Sequence, residues 1–346
     1  MSGSSQIDVS AAVDRSAWDA YVASHPRASG YHLSHWRDVF EGAFGHETRY
    51  LAASRDGRIA GVLPLVLFRS RMFGRFIVSL PFVNYGGVLA DDEGVEAALL
   101  REAERTAAGG GFDHVELRHR ERRFPGLVLK QHKVAMLLPL AATVEAAWGG
   151  LDRKVRNQIR KAEKSELTAV HGGPERLEEF YSIFARNMRD LGTPVYSRSF
   201  FAHVMQACGD RASIAVVMKG STPIAAGISL SNRGTVEVPW ASSVGDYRAL
   251  CPNHLLYWSV IKRAIEQRFD VLDFGRSTPD EGTYHFKKQW GAEALPLCWE
   301  YRLLRRSALP DHSPKNPKYR TAIEAWKRCP LWLTNTIGPR IVRSIP

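Results

Sequence analysis

The stretch VLDFGRSTPDEGTYHFKKQWGAE, residues 271–293, gathers groups that can do chemistry. Asp273 closes an apolar run, and Gly275-Arg276-Ser277-Thr278-Pro279 reads as a polar, glycine-bearing loop after a strand. Ligands bind at the carboxyl ends of strands in open α/β sheets, and loops there carry function. Lys287 and Lys288 stand between Tyr284, Phe286 and Trp290. The i,i+4 spacing of Phe286 and Trp290 predicts that they pack inward and that the two lysines point elsewhere. Asp273-Phe274-Gly275 is also the triplet with which a kinase holds magnesium. The glycine-rich loop, strand lysine and H-R-D segment that a kinase needs upstream are missing, as is a G-x-x-x-x-G-K-[ST] phosphate loop, so a kinase is excluded.

A second cluster is LDRKVRNQIRKAEKS, residues 151–165. At about 100° per residue, Leu151, Val155, Ile159 and Ala162 share one face of a helix. Arg153, Arg156, Arg160 and Lys164 form a stripe opposite, with Lys154 and Lys161 beside it. Like charges at i,i+4 repel, so a nearly pure cationic face points to an anionic ligand. Glu237 lies in the strand-like run TVEVPWAS, where alternation sets it opposite Val236 and Val238; it is a candidate base. Trp240, Tyr247, Tyr257, Tyr85 and Asn84 are candidate pocket walls. His32 and His35 have no third ligand nearby in sequence, so no metal site is expected. No nucleophile-elbow serine appears.

These groups need elements to hold them. In the first half, helical patterns near 16–24 and 33–44 precede a hairpin about Arg55-Asp56-Gly57, the strand RFIVSL, a helix near 93–108 and the strand FDHVELR. The second half repeats that order, with helices near 174–190 and 198–208, a hairpin about Gly220-Ser221, TVEVPWAS, a helix near 253–268 and the strand FDVLDF. The landmarks are offset by roughly 160 residues, which predicts two similar mixed α/β domains. The expected division is 1–130, 131–305 and a tail at 306–346.

Taken together, the segments resemble the FemAB family of aminoacyl- and peptidyl-transferases, built from tandem GNAT-like domains. Lys154 to Glu163 is similar to that family's R-N-x-I-R-K-A segment, and YRALCPNHLLYW (247–258) resembles the stretch entering the helix after its central strand. DFGRS followed by YHFKKQWGAE is similar to its D-F-x-G loop and Y-x-F-K-x-G-F turn. PKNPKYRTAIEAWKRCPLWLTNTIGPRIVRSIP and Pro81-Phe82-Val83-Asn84-Tyr85-Gly86-Gly87 resemble, more narrowly, FemAB-related proteins associated with exosortase/PEP-CTERM systems, which implies envelope or exopolysaccharide work. The resemblance implies transfer of an acyl or aminoacyl group, from aminoacyl-tRNA or acyl-CoA, to an amine on a phosphorylated or diphosphate-linked precursor. Lys287 would hold the developing negative charge, with Glu237 or Asp273 as base. Arg156, Asn157, Arg160, Asn253, Arg276, Ser277, Tyr284 and Phe286 would bind substrate. Acyl-CoA enzymes of this class carry R/Q-x-x-G-x-G/A at a helix start. Here Arg248-Ala249-Leu250-Cys251-Pro252-Asn253 has no glycine, and Pro252 lacks an amide donor, which argues against an ordinary CoA loop. The first domain is expected to be mainly a wall. The alternatives are an acyl-CoA-dependent N-acyltransferase and a non-catalytic module binding anionic lipid or RNA.

Composition agrees with a globular protein: of 346 residues, 45% are apolar and 24% charged, enough to build two cores. The four cysteines are scattered, as in a reducing compartment. With no signal peptide in the first residues and no spanning apolar run, a cytoplasmic location is expected. Of the net charge of +11, residues 305–346 carry nine Lys/Arg against Asp311 and Glu324. Tyr319, Ala322, Ile323 and Trp326 repeat at helical spacing with cations beside them, which suits either peripheral contact with anionic membrane or packing on the body. A DNA partner is not expected.

Overall fold

The computed structural model describes residues 6–70, 73–309 and 320–345. The start of the chain and residues 310–319, including Asp311 and Tyr319, lie outside them. Two compact units form. One is built on residues up to Gln131 with a return segment from Pro296, the other on His132–Leu295 with the C-terminal helices.

The first unit runs β1 (Ile7–Ser10), α1 (Arg15–Ser24), α2 (Trp36–Phe44), β2 (Glu47–Arg55), β3 (Arg58–Ser70), β4 (Gly74–Val78), β5 (Leu89–Ala90), α3 (Glu93–Gly110), β6 (His114–His119) and β7 (Val128–Lys130). Asp56 and Gly57 both take positive φ (50° and 76°), the two-residue turn that suits the right-handed twist of a hairpin. Asp92 caps α3 by accepting from the Val95 amide, and Gly111 ends that helix at φ 69°. Val95, Leu99, Ala103 and Ala107 recur at helical spacing and bury one face of α3 against Leu63, Leu65, Ile77 and Val115 of the sheet.

The second unit runs β8 (Val134–Pro139), α4 (Val144–Gly150), α5 (Arg153–Lys164), β9 (Leu167–Gly172), α6 (Leu177–Leu191), α7 (Arg198–Cys208), β10 (Ala212–Lys219), β11 (Thr222–Asn232), β12 (Thr235–Ser243), α8 (Pro252–Glu266), β13 (Val271–Ser277), α9 (Gly282–Lys288) and β14 (Glu293–Pro296). The chain then returns to the first sheet as β15 (Cys298–Leu303) and ends in α10 (Arg320–Lys327) and α11 (Leu331–Val342). The core of this unit joins Val155, Ile159 and Ala162 of α5 to Leu256, Val260 and Ala264 of α8 and to Val236, Val238 and Leu272 of the sheet. Full burial of each large aliphatic side chain is worth about 1.5–3 kcal/mol.

The two sheets share one plan. The first is ordered β1-β2-β3-β4-β6-β15-β7, with β5 on β3; the second is ordered β14-β8-β13-β12-β11-β10-β9. Each has an antiparallel meander leading to a parallel pair, β4–β6 or β12–β13, and an antiparallel strand beyond it. The strand beyond the pair comes in each case from outside the run of the unit's other strands. The sequence reading placed residues up to 305 in the second domain. Instead Cys298–Leu303 pairs with His114–His119, because its alternate residues Trp299 and Tyr301 are needed to cover the first sheet.

α11 packs beside α6, and its Thr334, Gly338 and Val342 are buried. A methyl group on Gly338 would meet the Val195 amide nitrogen at 2.9 Å and its Cγ1 at 3.1 Å. Gly338→Ala is therefore expected to cost about 1–3 kcal/mol of local stability. The measurement is amide exchange across 331–342, and unchanged protection there would contradict this packing.

Candidate functional site

The parallel pairing of β12 with β13 covers only Thr235–Glu237 against Val271–Asp273. Beyond it each strand follows its other neighbour, and both do so through irregularities. The β11–β12 register shifts between Ile228 and Leu230, opposite the segment from Glu237 to Trp240. The β13–β8 register shifts between Asp273 and Arg276, where Gly275 takes φ 74°. A bulge with a left-handed glycine re-aims the residues after it, and such bulges gather beside binding sites. Gly275, Arg276 and Ser277 are thus strand, not the loop expected from sequence, since Arg276 and Ser277 pair with Ala135 and Val134.

Glu237 and Asp273 stand opposite each other at the last paired position, 7% and 0% exposed. Alternation failed to separate Glu237 from its neighbours by burial, because Val236 and Val238 are buried too and this sheet is covered on both faces. Asp273 accepts from the Gly275 amide at 2.8 Å, which anchors the bulge.

Lys287 completes the cluster. It was expected to point away from the body; it is 7% exposed, and Nζ donates to the carbonyls of Gly275 (3.1 Å) and Arg276 (3.0 Å). The short α9 explains the reversal. Trp290 is buried and Phe286 half-buried, and the single turn between them brings Lys287 inward while Lys288 stays exposed. Burial pushes Lys287 down to about 8; Asp273 and then Glu237 pull it up, and Arg276 pushes it further down. Below about pH 8 the folded protein carries the full cost of this buried ammonium. Between about 8 and the ordinary 10.5 the unfolded chain holds the proton that the folded state has shed, so stability rises with pH. Wild type is expected to gain about 3 kcal/mol over Lys287→Met between pH 7.5 and 10.5, measured by denaturant unfolding. Parallel curves would contradict the shift.

An aromatic wall adjoins the lysine. Tyr257 lies 5.0 Å from Phe274 and 5.5 Å from Phe286, ring centre to ring centre, and burial raises its hydroxyl pKa. Tyr284 packs on the same core. Ser277 Oγ is buried without a hydrogen-bond partner among the described residues. Two groups were not anticipated. His254 sits between Phe286 and Trp290, brought down to about 4 by burial and by Lys154, so it is neutral. Lys133 Nζ donates to Thr278 Oγ1 at 2.6 Å, just past the end of β13. No periodic signal in the sequence pointed to either.

A second cluster surrounds the start of α8. A 3-10 turn at Gly245–Leu250 leads into Cys251 at φ 60° and then Pro252 at the first helical position. Cys251 itself takes the left-handed conformation that a glycine would supply, while Pro252 still lacks an amide donor. The Cys251 thiol donates to Gln158 Oε1, which ties α5 to this turn. The face expected to be buried on α5 is buried, and Asp152 caps the helix through the Lys154 amide. Arg156 is half-buried, Asn157 and Arg160 are exposed, and Arg160 lies 5.4 Å over Trp148. None of the six cations of α5 forms an ion pair among the described residues, whereas many arginines elsewhere do. Lys161 acts on the Cys251 thiol and Lys154 on His254, so the side of α5 that carries these two lysines and Gln158 faces the same helix start as Asn253. Amides at a helix N-terminus with lysines beside them suit a phosphorylated ligand. Tyr247, 5.7 Å from Lys219 Nζ, lies within the turn.

The structure separates other candidates from these clusters. Trp240 is held edge-on by Phe200 and Phe201, each 5.4 Å away, and serves the core. Asn84 and Tyr85 belong to the first unit, in a buried loop where Leu80 and Phe82 have positive φ. That unit was expected from sequence to be mainly a wall. It encloses a cavity of about 180 Å³ lined by Arg27, His32, Tyr85 and Arg118 to Arg120. His119 Nδ1 donates to Glu300 at 2.7 Å while Nε2 accepts from the Val88 amide. Burial would raise Glu300, but His119 and the amides of Phe124 and Arg123 outweigh it and hold its carboxyl low. Among the described residues no group of His, Cys, Asp and Glu could hold a metal ion.

The family model of the acetyltransferase (GNAT) domain matches residues 151–288, which spans both clusters of the second unit. Enzymes of that type draw the acyl group from an acyl-CoA co-substrate. The fold as a whole is similar to that of FemX, with 15% identity over 91% of this chain and 100% of that one, at a TM-score of 0.65. It is also similar to a tandem GNAT protein from the clavulanic acid biosynthesis pathway (10% identity, 86% and 97% covered, TM-score 0.55). A third likeness is to the C-terminal domain of a protein from Agrobacterium fabrum described as a lysylphosphatidylglycerol synthetase (11% identity, 93% and 95% covered, TM-score 0.57). At such identities the likeness shows the fold, two GNAT-like domains in tandem. No curated protein matches the chain in sequence.

Proposed function

We propose that this acyltransferase with tandem GNAT-like domains transfers an acyl or aminoacyl group to an amine of a cell-envelope or exopolysaccharide precursor, and that its second unit holds the reacting centre. The carrying observation is the burial of Glu237, Asp273 and Lys287 together at the point where β12 and β13 part. Ligands of α/β sheets lie at such strand ends. The FemX likeness supports an envelope acceptor.

The chemistry is a substitution at a carbonyl. A neutral amine attacks, a C–N bond forms, and the C–S bond of a thioester or the C–O bond of an aminoacyl ester breaks. Negative charge gathers on the carbonyl oxygen in the transition state, where a preorganised cation has its largest effect. Lys287 spends two protons on Gly275 and Arg276 and keeps one for that oxygen. Glu237 takes the amine proton and returns it to the leaving thiol or hydroxyl. Asp273, fully buried and bonded to Gly275, fixes the bulge rather than touching substrate. The donor's phosphates are held by the α8 amides with Arg156 and Arg160, whether the donor is acyl-CoA or aminoacyl-tRNA. Arg276, Ser277, Tyr257, Tyr284 and Phe286 line the acyl and amine positions. Such an acceptor suits a cytoplasmic protein lying at the inner membrane face; no described helix is long and apolar enough to cross a membrane.

Thermal-shift titration with acyl-CoAs, charged and uncharged tRNA, and nucleotide- or polyprenyl-linked sugars tests this reading. A ligand at a hundredfold excess over its Kd should add about 2.7 kcal/mol. The reading expects a shift with one donor and one linked sugar, the donor shift weakened in Arg156→Ser/Arg160→Ser. A shift with RNA alone that ignores aminoacylation would favour a binding module instead.

A further inference from the structure

The C-terminal helices carry a face that the core does not use. Thr334, Gly338 and Val342 of α11 recur every fourth residue and turn inward. At about 100° per residue, Trp332, Thr336, Arg340 and Arg343 fall together on the opposite side, with Ile337 on the flank. Trp332 keeps 69% of its surface exposed and Ile337 36%. Leu191, at the end of α6, is 56% exposed; the neighbouring Gly192 touches Ile323 and Lys327 of α10. Three of the five most exposed large apolar side chains among the described residues thus lie on α6 and α11.

On α10 and α11 the charge beside them is mostly positive. Arg320, Lys327, Arg328, Arg340 and Arg343 are opposed on these helices by Glu324 alone, which is bonded to Lys327 at 2.7 Å. The four arginines make no ion pair among the described residues. A soluble surface would mix signs and bury such a tryptophan. Tryptophan seats at the boundary between headgroups and acyl chains, and arginine reaches the phosphates above it.

We propose that the outer face of α11, with the cations of α10, docks peripherally on an anionic lipid bilayer. Trp332 and Ile337 enter the headgroup boundary, while Arg340 and Arg343 hold lipid phosphates. Neither helix spans the membrane. The contact is weak by design of its area, since one exposed helix with two apolar side chains gives reversible binding. It stands apart from the acyl-transfer chemistry, and its failure would leave that chemistry untouched.

The test is co-sedimentation of the full chain with vesicles of phosphatidylcholine, alone or with one-third phosphatidylglycerol. Wild type is expected to prefer the anionic vesicles. Arg340→Ser/Arg343→Ser should weaken that binding about thirtyfold, at roughly fivefold for each cation. Trp332→Ser should weaken it as well, and lipids brominated near the headgroup should quench more tryptophan emission in wild type than in Trp332→Phe. All of these side chains face outward, so unchanged melting is expected and separates docking from folding. Equal binding to both vesicles, or variants that bind like wild type, would overturn the inference. So would binding displaced by short RNA and indifferent to Trp332→Ser, which would mark a general polyanion surface.

Discussion

Lys287→Met is expected to lower kcat by about 10²–10³-fold with KM nearly unchanged, the loss typical of removing one preorganised oxyanion donor. The substitution keeps the length and apolar stem of the side chain, so Phe286, Trp290 and the wall about Tyr257 stay in place. It removes the cost of a buried cation below about pH 8 but also leaves Asp273 buried without that counter-charge, so the variant's stability should stay near that of wild type at neutrality. A loss of activity in a chain of undiminished stability separates chemistry from folding. If the loss appears in KM instead, Lys287 binds ground-state substrate and another group holds the developing charge.

Asp273→Ala should act in the opposite sense, on stability first. Asp273 is fully buried and is the strongest influence holding the Lys287 proton in place. Deleting it leaves a buried ammonium with one fewer counter-charge and a Gly275 amide without its acceptor. Breaking a buried pair from one side costs about 3–5 kcal/mol. The loss should shrink to about 1 kcal/mol in a Lys287→Met background, where only the hydrogen bond to Gly275 is missing. Urea unfolding of the four proteins at pH 7 reads this cycle, and equal losses in both backgrounds would show that Asp273 and Lys287 do not act on each other.

Much of this arrangement could be read from the sequence. Leu151, Val155, Ile159 and Ala162 fall on one helical face by spacing alone, and all four are buried. The Asp56-Gly57 turn and the order of elements in both halves were likewise legible, because hairpins and amphipathic helices are local patterns. Non-local pairing was not. Nothing near Cys298–Leu303 tells the strand to leave the second unit for His114–His119, since one pleated strand resembles another until its partner is known. The orientation of Lys287 was hidden for a related reason. Helical spacing presumes a long helix, whereas α9 spans Gly282–Lys288 and is tied by carbonyls of the Gly275 bulge, which themselves depend on β8. The loop before α8 shows the converse: it has no glycine, yet Cys251 is held at φ 60° beside Gln158, because φ is set by packing as well as by residue type.

The central claim is that one buried lysine, set where β12 and β13 part, drives acyl transfer. The most direct measurement is a single-turnover assay of radiolabelled acyl groups. They would be supplied as acyl-CoA or aminoacyl-tRNA and offered to amine-bearing, diphosphate-linked sugar precursors, across pH 6–10. Wild type should discharge one donor class with a rate that falls as pH rises through about 8, the limb on which Lys287 loses its proton. Lys287→Met should be at least a hundredfold slower and lack that limb. Transfer by Lys287→Met at the wild-type rate, with the same pH profile, would contradict the claim.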